Sequence, residues 1–102
     1  MFEATEKETQ KAILEYLEYR GVFCYRQNSG AFKTEAGGFY RMGEKGAPDI
    51  IAVIKGQFTG IEVKGPKGRQ NENQKEFERR LTEAGGRYIL ARSLDDIVDA
   101  GI

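Results

Sequence analysis

Two apolar runs, Asp49 to Ile54 and Phe58 to Lys64, stand a single Lys55-Gly56-Gln57 return apart. That spacing constrains the fold more than any other feature of the chain. The first run, Asp49-Ile50-Ile51-Ala52-Val53-Ile54, is continuous, the mark of a central strand covered on both faces. The second alternates, so Ile61 and Val63 point one way while Glu62 and Lys64 point the other. A return this short joins antiparallel strands. Pairing them would set Asp49, fixed behind Pro48 at the start of one strand, beside Glu62 near the end of its neighbour.

The flanking sequence supplies the rest of a mixed α/β layout. Thr5 with Glu8 reads as a capping box opening a helix to about Arg20, closed by Gly21, with Ile13, Leu14 and Leu17 on one face and Glu6 and Gln10 in line with them. Val22 to Arg26 reads as a strand, and Asn28-Ser29-Gly30 as a turn. Residues 31–47, rich in glycine and charge, read as a mobile hairpin or loop with a short strand near Phe39-Tyr40-Arg41. A second helix from about Asn71 to Ala84 carries Gln74, Phe77 and Leu81 on one face. Arg87 to Ala91 is a further strand, and Ser93 caps a terminal helix through Asp99. The order is α-β-(β)-β-β-α-β-α, most economically one central mixed β-sheet flanked by helices.

Composition removes several chemistries. At 102 residues the chain holds one core and no second unit. There is no histidine and one cysteine, Cys24, in the apolar segment Val22 to Tyr25, which excludes an internal disulfide, a zinc site and any histidine-dependent triad. No apolar run approaches the roughly 18 residues of a membrane span. Glu3, Glu6 and Glu8 are unlike a signal peptide, so a cytoplasmic setting is expected. Sixteen bases balance sixteen acids, and only their distribution is informative: residues 21–90 carry twelve bases against eight acids. The excess gathers around Lys64, Lys67, Arg69, Lys75, Arg79 and Arg80, as either a phosphate-binding patch or a solvated helix face.

Two carboxylates a few ångströms apart repel unless a cation sits between them, and hard oxygen donors favour Mg²⁺ or Mn²⁺. Such an ion keeps several waters, which leaves room for a phosphate and an attacking water that Lys64 would orient or help deprotonate. An Asp followed later by Glu-x-Lys also arises as a surface pair on an edge strand. The residues alone leave both readings open.

Pro48-Asp49, the apolar run, a hairpin-length spacer and then Glu62-Val63-Lys64 resemble the PD-(D/E)XK nuclease core. Thr5-Glu6 with Gln10, Arg26-Gln27-Asn28-Ser29-Gly30, Gly46-Ala47-Pro48-Asp49 and Gln74 extend the likeness from Thr5 to about Ser93. Together they are similar to the VRR-NUC domain, in its stand-alone phage and bacterial form. The resemblance implies a restriction-endonuclease-like α/β core, as one nuclease domain over residues 1–102. It implies Asp49, Glu62 and the Val63 carbonyl as ligands of Mg²⁺ or Mn²⁺, and Lys64 as the catalytic lysine. Glu6 becomes the first-helix acid of both the metal and the catalytic set, with Glu8 as its alternative, and Gln74 supports the site.

Candidates for contact with DNA are Arg26, Ser29, Arg41, Lys45, Lys67 and Arg69, although Ser29 reads first as a turn residue. The activity implied is structure-selective hydrolysis of phosphodiester bonds in branched, Holliday-junction-like DNA by a homodimer, with no membrane and no small-molecule cofactor involved. A flap or nicking nuclease module of a larger assembly, and a non-catalytic nucleic-acid-binding module, are the alternatives.

Overall fold

Thr5 and Glu8 close a reciprocal capping box at the head of the first helix, α1 (Glu6–Tyr19). The Thr5 hydroxyl accepts the Glu8 N–H at 3.1 Å, and the Glu8 carboxylate accepts the Thr5 N–H at 3.0 Å. The computed structural model describes residues 4–27, 30–33, 35–42 and 44–102, with the backbone alone for 30–33 and 39–42. After α1 come β1 (Phe23–Arg26), β2 (Gly30–Lys33), β3 (Phe39–Met42), β4 (Ile50–Ile54), β5 (Gln57–Val63), α2 (Glu72–Glu83), β6 (Arg87–Ala91) and α3 (Leu94–Asp99). The main sheet runs β1-β4-β5-β6, antiparallel except where β5 meets β6, and β2 pairs β3 separately.

The β4–β5 hairpin has the expected antiparallel sense, with Ile50 opposite Ile61 and Ile54 opposite Gln57. Its loop is tighter than the sequence suggests. Only Lys55 (φ 51°) and Gly56 (φ 80°) lie outside the ladder, the left-handed pair of a type I′ turn, and Gln57 already belongs to β5.

Register fixes what each face carries. Ile50, Ala52, Ile61, Val63 and Ala91 meet Ile13 and Leu17 of α1 and Ile97 of α3 in the core. Ile13, Leu17, Ile61 and Ile97 are fully buried, each contributing about 1.5–3 kcal/mol of apolar transfer. Cys24 packs half-buried against this core. On the opposite face α2 covers the β5–β6 side, where glycine at 60 admits Leu81 and Pro48: a Cβ there would stand 2.7 Å from Pro48 Cγ.

Two expectations need correction. Residues 30–33 and 39–42 form an antiparallel ladder, which is the hairpin alternative with a second strand beside the one expected near Phe39 to Arg41, but Gly30, assigned to a turn, begins β2. The β4 run is also not covered on both faces throughout. Val53 is 40% exposed because α2 stops short of the β1–β4 side, leaving Phe23, Tyr25 and Phe58 exposed with it. Among the described residues no helix is long and apolar enough to cross a membrane.

Candidate active site

Asp49 sits in the bend between Pro48 and β4, and the loop before it is held by a close backbone approach. Gly46 has φ 74°, and a Cβ on it would fall 2.2 Å from the Asn73 carbonyl oxygen at the head of α2. Only glycine fits there. The Asp49 carbonyl accepts the Gln27 N–H at 2.7 Å, extending the β1–β4 ladder, while its Oδ2 accepts the Val63 N–H at 2.8 Å. The side chain thus reaches across the hairpin to the end of β5, where the antiparallel register sets Glu62 opposite it.

Glu62 is 4% exposed. Its Oε2 accepts from Gln74 Nε2 at 3.3 Å and lies 3.7 Å from Lys64 Nζ, while its Oε1 is buried with no hydrogen-bond partner. Burial, and then the neighbouring Asp49 charge, push this carboxyl up to about 8 against the pull of Lys64. Without a cation the carboxyl can keep a proton and share it with Asp49; once ionised, a buried carboxylate beside a second carboxyl leaves the site short of positive charge.

Gln74 is placed by its own helix. As the N3 residue of a second capping box it accepts the Asn71 N–H through Oε1 (2.9 Å) and donates its N–H to Asn71 Oδ1 (2.9 Å), leaving Nε2 for Glu62. The Asn71-to-Gln74 spacing carried that signal in the sequence.

Glu6 and Glu8 are engaged in different places. Glu8 is spent on the α1 cap, where the Thr5 N–H holds its carboxyl below the usual range. Glu6 turns toward the hairpin end, and its Oε1 accepts the Gly65 N–H at 2.8 Å. A cleft of about 360 Å³ is lined by Glu6, Lys7, Gln10, Arg26, Asp49 and Val63.

Among the described residues no three His, Cys, Asp or Glu side chains gather closely enough to hold an ion by themselves. The donors brought together are the carboxyls of Asp49 and Glu62 at the Val63 backbone, with Glu6 at the rim of the same cleft. The unpartnered Glu62 Oε1 and the all-oxygen chemistry fit a hard divalent cation completed by backbone and water.

The basic residues separate into two groups. Lys75, Arg79 and Arg80 are ion-paired on the surface, with Glu72, with Glu76 and Glu83, and with Glu44, so this part of the sequence cluster is a solvated helix face. Lys67 and Arg69 are exposed and line a second cleft, of about 510 Å³, with Pro66, Gly68 and Arg92. Arg26 ends β1 at the first cleft, and Lys45 is exposed in the turn beside Gly46. Ser29 lies outside the described residues, as does the side chain of Arg41, whose backbone pairs with Ala31. Arg92 escaped the sequence reading because its contact is with a backbone group 27 residues away, which leaves no local pattern.

A mixed sheet flanked by helices, with two carboxyls and a lysine at the end of its central hairpin, defines a restriction-endonuclease-like α/β domain. The VRR-NUC domain model matches residues 4–95, and the chain belongs to that family. It is therefore a nuclease domain, with DNA as its substrate. One solved structure, a VRR-NUC domain, is similar at TM-score 0.68 and 22% identity, covering 94% of this chain and 97% of its own. Another, a VRR-NUC domain protein, has TM-score 0.68 and 20% identity over 98% of this chain and 87% of its own. No curated protein matches the chain.

Proposed function

We propose that this nuclease domain is a Mg²⁺- or Mn²⁺-dependent, structure-selective endodeoxyribonuclease that hydrolyses phosphodiester bonds in branched, Holliday-junction-like DNA, acting as one unit over residues 1–102. The observation that carries the reading is the buried, unpartnered Oε1 of Glu62 beside Asp49, with Lys64 Nζ 3.7 Å from the other oxygen. Asp49, Glu62 and the Val63 carbonyl would hold the ion, with Glu6 supplying a further carboxyl from the cleft rim. When bound, the ion supplies Lewis-acid stabilisation of charge on the scissile phosphate.

The chain's own residues do the remainder. Lys64 orients a water for in-line attack on phosphorus and offsets the negative charge that develops on the phosphate. Gln74 holds Glu62 in place through Oε2, which would leave Oε1 to take a cation. Arg26, Lys45, Lys67 and Arg69, with Ser29 and Arg41 as further candidates, track the backbone of the branched duplex.

A second copy of the chain completes the reading, since symmetric cleavage of a four-way junction needs two centres. Its support is an apolar row on one sheet face: Phe23 lies opposite Val53 and Val53 opposite Phe58, with exposures of 68%, 40% and 42%.

The deciding experiment incubates wild type and Asp49→Ala with labelled junctions, flaps and plain duplex, with and without Mg²⁺ or Mn²⁺. Ion-dependent cuts in junctions that the variant lacks are expected. Preference for flaps selects the flap-nuclease alternative. Equal activity of the variant removes Asp49 from the chemistry.

A further inference from the structure

Gly65 directly follows Lys64, and both of its backbone polar groups are taken by side chains from distant elements. Its N–H donates to Glu6 Oε1 at 2.8 Å, and its carbonyl accepts from Arg92 Nη1 at 2.6 Å, just beyond β6. The same carbonyl accepts the Gly68 N–H at 3.1 Å, closing a turn over residues 65–68. That turn folds back on the lysine, since a Cβ at Gly68 would stand 3.3 Å from both Cβ and Cδ of Lys64. Arg92 is in turn fixed through its own N–H, which donates to Asp96 Oδ2 at 2.7 Å.

From this chain of contacts we infer that Arg92 is a positioning residue for Lys64: its guanidinium anchors the turn that closes over the lysine stem and so sets Nζ against Glu62. The inference rests on the nuclease reading above and adds to it a residue that reading does not use. The need for an anchor is physical. Lysine carries a flexible four-carbon stem, and although Pro66 stiffens the middle of the turn, glycine at 65 and 68 leaves its two ends free to swing. Glu6 restrains the N–H side of Gly65, and Arg92 restrains the carbonyl side. Arg92 also lines the cleft of Lys67 and Arg69, so a purely phosphate-binding role is the rival to be excluded.

The test compares Arg92→Ala and Arg92→Lys with wild type in the whole chain by three measurements. Amide hydrogen exchange at Gly65 and Gly68 needs no activity; the others are kcat and KM on the best branched DNA, and DNA affinity against salt without divalent ions. Because Arg92 is exposed, both variants should keep the wild-type unfolding midpoint within a few degrees.

Positioning gives at least about tenfold faster exchange at both amides in the Ala variant. Its kcat should fall about 10- to 100-fold, as for an ångström-scale misplacement, with KM nearly unchanged. The Lys variant, which can still donate to the Gly65 carbonyl, recovers most of both. Unchanged exchange overturns the inference. So does an unchanged kcat with weaker DNA binding and a salt slope smaller by about one, the signature of a lost phosphate contact. A wild type that cuts no DNA removes the nuclease reading and this inference's catalytic half, and exchange then decides whether Arg92 anchors the turn.

Discussion

At the scale of single residues, Glu62 carries the clearest electrostatic consequence. Its carboxyl lies at about 8 in the folded chain against an ordinary 4.5, so between those values the folded protein holds a proton that the unfolded chain releases. Stability of the metal-free protein from this group is full at the acidic end of that window and is lost as pH rises through it. The thermal midpoint without divalent ions should therefore fall between about pH 5 and about pH 8.5, and Glu62→Gln should flatten that slope. Since cation and proton compete for the same oxygens, added Mg²⁺ or Mn²⁺ should raise the midpoint more at the alkaline end. A calorimetric series showing the larger rise at the acidic end would contradict the proposed ligand role of Glu62. Lys64→Ala should keep the ion-dependent midpoint shift yet cut more slowly by about 10²- to 10³-fold, the size expected for one lost electrostatic group.

At the scale of elements, the β4–β5 hairpin makes the most direct prediction. Lys55 holds φ 51°, which lysine adopts at a cost that asparagine largely avoids. Lys55→Asn should raise the unfolding free energy by about 0.5–1 kcal/mol in denaturant titrations, with cleavage untouched. Gly60→Ala acts the other way: its methyl would push Pro48, the residue that places Asp49, so activity should drop along with stability. The elements most legible in the sequence are those with local signals, such as the Thr5–Glu8 box, the left-handed Gly21 and Gly56, and the alternation of β5. The β2–β3 ladder was hard to read because glycine and charge interrupt any two-residue alternation there, and pairing across sequence decides it. The juxtaposition of Asp49 with Glu62 could be read because so short a return forces antiparallel pairing, although the return itself proves one residue tighter than the sequence suggests. The contacts of Gly65 with Glu6 and Arg92 could not, since they join residues 59 and 27 positions apart.

At the scale of the whole molecule, charge is balanced, and part of the basic cluster is neutralised by ion pairs, within α2 for Lys75 and Arg79 and with Glu44 for Arg80. On the proposed reading, affinity for DNA comes from few phosphate contacts, chiefly through Lys67 and Arg69 near the hairpin end. Each charge removed there should lower the slope of log affinity against log salt by about 0.9, leaving the ion-dependent midpoint shift intact. Phe23→Asp tests the second copy: light scattering should move from a dimer to a monomer, and paired cuts in junctions should become single nicks. The hairpin itself has a last consequence. Asp49, Glu62 and Lys64 all belong to one contiguous stretch that turns back on itself after residue 56. Their meeting demands closure of a short segment and little search through chain space. The geometry of the candidate site is thus a property of one short segment, and its closure should survive substitutions that loosen the helices around it.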